Sequence, residues 1–200
     1  MIESGRSQFG EDVWIAGHYQ LPDRGVFVDV GASDGVTGSN SLYFEERGWW
    51  CLCVEPDPRH FERLHETRAL CELSAASTTC GRAQFWLHPQ RPSRSSLVPS
   101  EDVMYEPIVV PTVTLDHLVS KYALGRIDIL DIDVEGHELA VWESLDRHTV
   151  RPWLVIIEYA DTRPRSSFAE IRAAFAAEGY ALVHRTPANL IFEHPLERPA

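Results

Sequence analysis

The segment from Val26 to Pro58 constrains the fold of this chain most strongly. The apolar run Val26–Val30 leads directly into a glycine-rich turn, Asp29-Val-Gly-Ala-Ser-Asp-Gly-Val-Thr-Gly38, and a second apolar run, Trp50–Val54, ends at Glu55. An apolar strand that runs into a glycine-rich turn and then a helix is typical of the ligand-binding edge of an open α/β sheet. The segment therefore predicts two parallel strands with a binding site at their carboxyl ends.

The rest of the chain continues this alternation of strand and helix signals. Helices are predicted at residues 7–19, 38–47, 58–67, 114–122, 138–145 and 167–178, and strands at 26–30, 50–54, 72–77, 83–87, 127–132, 153–159, 180–184 and 189–192. Such alternation predicts an α/β sandwich with a mainly parallel sheet. With 200 residues and no linker, residues 1–200 are expected to form one domain, in which residues 1–25 carry a leading helix.

Residues 88–107 interrupt the alternation, since they contain four prolines and four serines. Long irregular segments inside compact domains are often binding loops, so we interpret 88–107 as an active-site loop. The alternative is a disordered excursion.

The glycine spacing argues against a dinucleotide site. The dinucleotide fingerprint is G-x-G-x-x-G, whereas Gly31, Gly35 and Gly38 are spaced G-x-x-x-G-x-x-G. Gly31 and Gly35 allow a close approach of the backbone to a compact zwitterionic ligand, and the following helix N-terminus favours its carboxylate. Asp29 is placed to bind the amino group of such a ligand. Glu55, which follows the turn by about 20 residues, can accept hydrogen bonds from both hydroxyls of a ribose.

Composition excludes several classes of protein. The formal net charge of −12 disfavours nucleic acid as a partner, because sequence-independent binding to phosphates depends on Lys and Arg. No apolar run approaches the ~20 residues that a membrane helix needs, and no signal peptide is visible, so we expect a cytoplasmic protein. The four cysteines lack a C-x-x-C pair and are expected to be reduced thiols.

The chain resembles the FkbM family of methyltransferases in five blocks. They are Ser7-Gln-Phe-Gly-Glu-Asp12, Phe27-Val-Asp-Val-Gly-Ala-Ser-Asp-Gly35, Val54-Glu-Pro-Asp57, Val113-Thr-Leu-Asp116 and Ile127-Asp-Ile-Leu-Asp-Ile-Asp-Val-Glu-Gly-His-Glu138. The resemblance implies a Rossmann-like class I methyltransferase fold, a three-layer αβα sandwich with a mainly parallel seven-stranded sheet, and S-adenosylmethionine as the cofactor. It also implies O-methylation, often of sugar or polyketide hydroxyls. The family commonly has Lys at the position of Asp131 and a small residue at that of His137.

The predicted cofactor site combines the turn with the ends of the following strands. Its members are Asp29, Gly31, Ser33, Gly35, Ser39, Asn40, Glu55, Pro56, Ala76, Ser77 and Asp133.

A group of carboxylates is predicted at the carboxyl ends of the strands 127–132 and 153–159. Asp133, Glu135 and Glu158 repel one another there unless a positive charge offsets them. The sulfonium of the cofactor and a divalent cation are the two candidates, and hard oxygen ligands suit Mg²⁺. The metal would orient the acceptor hydroxyls and lower the pKa of the attacking one. The alternative is that Glu135 and Glu138 only stabilise the next helix N-terminus.

An alcohol acceptor requires a base, and His137, flanked by Glu135 and Glu138, is the predicted one because histidine titrates near neutral pH. Asp133 and Glu135 are predicted to be catalytic together with it. The alternative is a solvent-facing residue in the first turn of the helix. Predicted acceptor-binding residues are Gln8, Arg94, Ser95, Tyr105 and Tyr159.

The leading hypothesis is methylation of a small carbohydrate acceptor, such as a mannoside or glycoside precursor, by an actinobacterial enzyme that forms a homodimer. A lipid, polyketide or peptide acceptor without a metal is the second hypothesis. A non-catalytic module that uses this fold for assembly is the third.

Overall fold

The computed structural model describes residues 5–99, 103–163 and 166–199. The helices are α1 Glu11–His18, α2 Leu42–Glu45, α3 Pro58–Thr67, α4 Leu115–Lys121, α5 Glu138–Glu143 and α6 Phe168–Ala177. The strands are β1 Val26–Val30, β2 Trp50–Val54, β3 Cys71–Glu72, β4 Ala75–Ala76, β5 Gly81–Leu87, β6 Glu106–Val113, β7 Ile129–Ile132, β8 Leu154–Glu158, β9 Ala181–Arg185 and β10 Asn189–Glu193. Within these ranges, no helix is both long and apolar enough to cross a membrane.

The main sheet has, in the described part of the chain, seven strands in the order β3-β2-β1-β7-β8-β10-β9. The first five of these are parallel, and β10 pairs antiparallel with both β8 and β9. This order confirms the predicted α/β fold with a mainly parallel seven-stranded sheet. The carboxyl ends of β1, β2, β7 and β8 consequently meet along one edge, which is where ligands bind in open α/β sheets.

Helices cover both faces of this sheet and produce three layers. On one face, α4, α5 and α6 bury apolar residues against the sheet, with Trp142 stacked on Phe175 at 4.4 Å between ring centroids. On the opposite face, Ile15 of α1 and Phe44 of α2 pack against Phe27 of β1. Burial on both faces explains why β1, β7 and β8 are almost continuously apolar.

Two buried aspartates interrupt the apolar face under α1 and α2. Asp29 of β1 lies directly opposite Asp131 of β7, so their side chains share this face near the carboxyl ends of the strands. They are 4% exposed each. A buried acidic pair at a strand end is a feature of a binding site, because it destabilises the fold unless other groups bind it.

The prediction of one continuous strand at residues 72–77 is wrong, because this segment contributes to two separate strands. Its first part is β3 in the main sheet, and its second part is β4 in a separate sheet with the order β4-β6-β5. The predicted loop 88–107 is shorter than expected, because β6 begins at Glu106 and pairs antiparallel with β5. Residues 100–102 of that loop, like residues 1–4, lie outside the described residues.

Two predicted helices begin four residues later in the structure. The leading helix begins at Glu11 because Gly10 has a left-handed φ of 83°. The predicted helix 38–47 is reduced to α2, since the Asp34 side chain accepts hydrogen bonds from Val36 N at 3.0 Å and Thr37 N at 2.7 Å and thereby extends the turn. The four cysteines are free, as predicted.

Candidate active site

Gly31 brings the ends of β1 and β7 into direct contact. Its φ is 92°, and a Cβ atom there would lie 1.7 Å from the backbone oxygen of Asp133. Its N–H donates to Val54 O at 2.9 Å, which also ties the turn to β2. Only glycine fits this crossing, and the predicted close backbone approach therefore has a steric cause.

Two adjoining cavities open at this edge of the sheet. The first, which we call the nucleoside cavity, is a narrow cleft lined by Glu55, Pro56, Ala76 and His137, among others. The second, the acceptor cavity, has a volume of about 650 Å³ and is lined by Asp29, Asn40, Asp131 and Glu158, among others. Gly31, Ser33, His60, Asp133 and Glu135 line both cavities.

Glu55 is held at the end of β2 by two backbone N–H groups. Ser33 N donates to its Oε2 and Asp57 N donates to its Oε1, each at 2.8 Å. Burial raises the pKa of Glu55 to about 8, against the effect of these two hydrogen bonds. The carboxyl group is thus fixed in position at the wall of the nucleoside cavity.

This pKa predicts a pH dependence of stability. In the folded chain Glu55 holds its proton up to a pH of about 8, whereas in the unfolded chain it loses the proton near the ordinary glutamate pKa of 4.5. The folded state therefore binds more protons between these values, and the free energy of unfolding contributed by Glu55 falls as pH rises through this window. Urea denaturation at a series of pH values from 4.5 to 8 measures this. The free energy of unfolding should fall less over this range in Glu55→Gln than in the wild type. The same slope in both proteins would contradict this assignment.

Arg68, for which the sequence predicts no role, binds the glycine-rich turn and the residues that follow it. Its buried guanidinium ion-pairs with Glu45 and donates to Gly35 O at 2.9 Å, Ser39 Oγ at 3.2 Å and Ser41 Oγ at 2.8 Å. Ser41 in turn donates to Asp29. Gly35, predicted to bind the cofactor, lines neither cavity among the described residues, since it packs on Leu64 and Arg68 instead.

His60 is a second site residue without a predicted role. Its Nδ1 lies 3.0 Å from Ser33 Oγ, and its ring lines both cavities. Burial lowers the pKa of His60 and so favours the neutral ring. The position in the first turn of α3, immediately after Glu55-Pro-Asp57, is the one sequence signal that identifies it.

Asp133, Glu135 and Glu158 meet as predicted, with one oxygen of each within 4.8 Å of the others. Burial in the cleft, followed by the charges of Glu135 and Asp131, raises the pKa of Asp133 well above its usual range. Burial and the charges of Asp133 and Glu135 likewise raise the pKa of Glu158. Asp133 is nevertheless in contact with solvent inside the acceptor cavity.

Arg163 supplies a positive charge to this cluster. Its Nη1 donates to Glu158 Oε2 at 2.9 Å, and its Nη2 forms an ion pair with Glu135. The guanidinium is therefore placed between two of the three predicted metal ligands. This contact was not predicted, since the segment around residue 163 has no pattern that places it near β7.

His137 lies on the nucleoside side of the site. Its Nε2 is 3.1 Å from Ser77 Oγ, and it lines the nucleoside cavity together with Ala76. Among the described residues, it is not part of the lining of the acceptor cavity. His137 therefore lies close to Ala76 and Ser77, two of the predicted cofactor residues, and faces the nucleoside cavity.

The segment 88–99 lines the site, as the interpretation of a binding loop requires. Arg94 lines the acceptor cavity, and Ser95 and Leu97 line the nucleoside cavity. Ser96 Oγ fixes the segment to the end of β7 by donating to Glu135 O at 2.8 Å. The Ser95 hydroxyl donates to Asp57 Oδ2 at 3.1 Å.

The remaining predicted acceptor residues separate into two groups. Gln8 lines the acceptor cavity, next to α1, which is fixed in place by Glu11 through Thr186 Oγ1 at 3.0 Å and Asn189 Nδ2 at 2.8 Å. Tyr105 packs edge-on against His88, and the Tyr159 hydroxyl donates to Thr186 O at 3.3 Å. Within the described residues, neither tyrosine belongs to the lining of the nucleoside cavity or the acceptor cavity.

Comparison with known families agrees with this geometry. Residues 29–182 match the family described as the methyltransferase FkbM domain, and this range includes the glycine-rich turn, Glu55 and the carboxylates. The chain belongs to the FkbM methyltransferase family. Membership in the FkbM family implies use of S-adenosylmethionine.

A solved FkbM-family structure is similar in fold. The crystal structure of methyltransferase FkbM from Methylobacillus flagellatus KT aligns with a TM-score of 0.58 at 16% sequence identity, over 89% of this chain and 45% of that one. The chain thus spans less than half the length of this FkbM relative. A search of curated proteins gave no match.

Proposed function

We propose that this chain is an S-adenosylmethionine-dependent O-methyltransferase whose acceptor is a small polyhydroxylated molecule such as a sugar. The observation that supports this most is the acceptor cavity of about 650 Å³, which adjoins the nucleoside cavity and has the Asp133 carboxylate at their junction. Its volume is within the range of small-molecule sites. Charged and amide side chains line it, which suits hydroxyl groups better than an acyl chain.

The cofactor would be held along the edge of the sheet by residues of this chain. Glu55 would accept hydrogen bonds from the ribose hydroxyls, Ala76 would contact the base, and the turn at Gly31 would pass close to the sulfur end. When bound, the cofactor supplies an electrophilic methyl group, and the protein contributes alignment and a proton acceptor.

We assign proton acceptance to Asp133. It lines both cavities, so its carboxyl group would lie between the cofactor and the acceptor, within reach of the acceptor hydroxyl. The acceptor hydroxyl would give its proton to a carboxylate oxygen of Asp133 as its oxygen takes the methyl group and the methyl–sulfur bond of the cofactor breaks. His137, the base predicted from sequence, contacts Ser77, and we assign it to the cofactor side of the site.

The carboxylate cluster suits a divalent cation in its ligand chemistry but already contains a cation of the protein. Three carboxylates with oxygens within 4.8 Å are ligands that Mg²⁺ prefers, whereas Arg163 pairs with Glu135 and Glu158. Mg²⁺ would have to displace this guanidinium. We therefore propose that Arg163 is the counter-ion of the cluster and that methyl transfer needs no metal.

The test is transfer of a labelled methyl group to a panel of sugars, with fatty acids, a polyketide and peptides as alternative acceptors, in the presence and absence of EDTA. We expect label in a sugar at a rate that EDTA does not change.

In Arg163→Gln, the three carboxylates lose their counter-ion, and Mg²⁺ should then raise the unfolding midpoint more than in the wild type. A wild-type rate that EDTA abolishes and Mg²⁺ restores would contradict the role of Arg163. Label only in the other acceptors would contradict the sugar. No transfer to any acceptor would support an assembly role instead.

A further inference from the structure

The floor of the acceptor cavity contains two buried oxygens that lack a hydrogen-bond donor. Asn40 Nδ2 donates to Asp131 Oδ2 at 2.7 Å. The amide oxygen of Asn40, Oδ1, and the second carboxyl oxygen of Asp131, Oδ1, have no partner among the described residues. The two residues are 9% and 4% exposed, respectively, and both line the acceptor cavity. Buried polar atoms nearly always have a partner, so these oxygens point to a ligand that donates hydrogen bonds.

The charge around the pair indicates that this ligand is positive. Six carboxylates line the acceptor cavity, those of Asp29, Asp34, Asp131, Asp133, Glu135 and Glu158. Arg94 is the only Lys or Arg among the described lining residues. Arg163 pairs with Glu135 and Glu158, and Arg68 reaches Asp29 through Ser41, but no described ion pair includes Asp131. A cationic donor at Asp131 would satisfy both the hydrogen bonds and the charge.

We propose that Asp131 and Asn40 form a binding site for a primary ammonium group. An ammonium group has three N–H donors, which is enough for both orphan oxygens and one further acceptor. The inference rests on the proposed function, because it concerns the cavity in which methyl transfer would occur. Two molecules can carry the group to this position: the methyl donor, through its amino-acid end, and an acceptor that bears an amino substituent.

Calorimetry with the full chain separates these sources. The first pair of probes is S-adenosylhomocysteine and its analogue without the amino group. The second pair, added to protein saturated with S-adenosylhomocysteine, is glucosamine and glucose. Asp131→Asn keeps the shape of the side chain and removes its charge, and Asp131→Ser serves if the first variant does not fold. The matched control is Asp128→Asn, which also removes a buried carboxylate but at the opposite end of the sheet, where Asp128 accepts from Val26 N.

We expect Asp131→Asn to lose the preference of the wild type for the ligand that carries the amino group. If the cofactor supplies the ammonium group, the wild type prefers S-adenosylhomocysteine over its analogue by roughly tenfold or more, and only the Asp131 variants lose this preference. If the acceptor supplies it, the same pattern appears between glucosamine and glucose. Equal behaviour of wild type and Asp131 variants with both pairs would overturn the proposal. Failure of the wild type to bind S-adenosylhomocysteine at all would instead overturn the proposed function on which it rests.

Discussion

Replacement of Gly31 by alanine is expected to destabilise the chain by about 2–5 kcal/mol. The strain of a left-handed conformation at a non-glycine residue costs about 1–2 kcal/mol, and overpacking costs about 1–3 kcal/mol. Both act at Gly31, where φ is 92° and a Cβ atom would lie 1.7 Å from the Asp133 backbone oxygen. The strands β1 and β7 would have to separate at their carboxyl ends, which would also distort the cofactor site. Urea denaturation measures the loss.

Gly17→Ala is the matched control for this prediction. Gly17 lies in α1, and a Cβ atom there would meet nothing within 4 Å. Alanine should therefore stabilise the helix by up to about 1 kcal/mol. A Gly31→Ala variant as stable as the wild type would show that β1 and β7 are not in contact as described.

Replacement of Asp133 by asparagine is expected to lower the rate of methyl transfer by about 10²–10⁴-fold, the usual contribution of a general base. The fold should persist, because Asn keeps the shape of the side chain and removes a charge that Glu135 and Asp131 repel. The measurement is labelled methyl transfer under saturating substrates, together with the unfolding midpoint of each variant.

Asp128→Asn is the control, since Asp128 lies at the opposite end of the sheet and accepts a hydrogen bond from Val26 N, which Asn can also accept. His137→Gln separates the two candidate bases. A large loss of rate in His137→Gln with little loss in Asp133→Asn would return the role of base to His137 and contradict our assignment.

Strands and helices with strong local signals could be predicted from the sequence to the residue. The apolar runs of β1 and β2 have the predicted bounds, as does α3, where the Asp57 side chain accepts from Arg59 N and Pro58 opens the helix. Ser167 accepts from Glu170 N and caps α6, as the capping box predicts. In each case the signal lies within a few residues of the element.

Strand β6 shows why the rest could not be predicted. It contains Pro107 and Pro111, which argue against a strand with neighbours on both sides. The structure accommodates them because β5 pairs with β6 along its length, whereas β4 pairs only with Thr112 and Val113. At both prolines β6 is effectively an edge strand, and this depends on pairing between distant segments.

The same distinction applies to the site. Glu55 and Asp133 are predictable because each directly follows an apolar strand. Arg68 lies at a helix end and Arg163 in a loop, and no periodic pattern in the sequence marks either position. The partners of Arg68 are separated from it by 23 to 33 positions in the sequence, and those of Arg163 by 5 to 28 positions. The sequence predicts that the clustered carboxylates need a positive charge nearby, but it does not show that Arg163 supplies part of that charge.

Binding of S-adenosylhomocysteine to the wild-type chain tests the central claim most directly. Titration calorimetry should show saturable binding at one site per chain, and Glu55→Gln should weaken it, because an NH2 group then replaces one of the two oxygens that accept from Ser33 N and Asp57 N. NAD should not bind, since the glycine spacing does not match a dinucleotide site. Binding of NAD with no binding of S-adenosylhomocysteine would contradict the account.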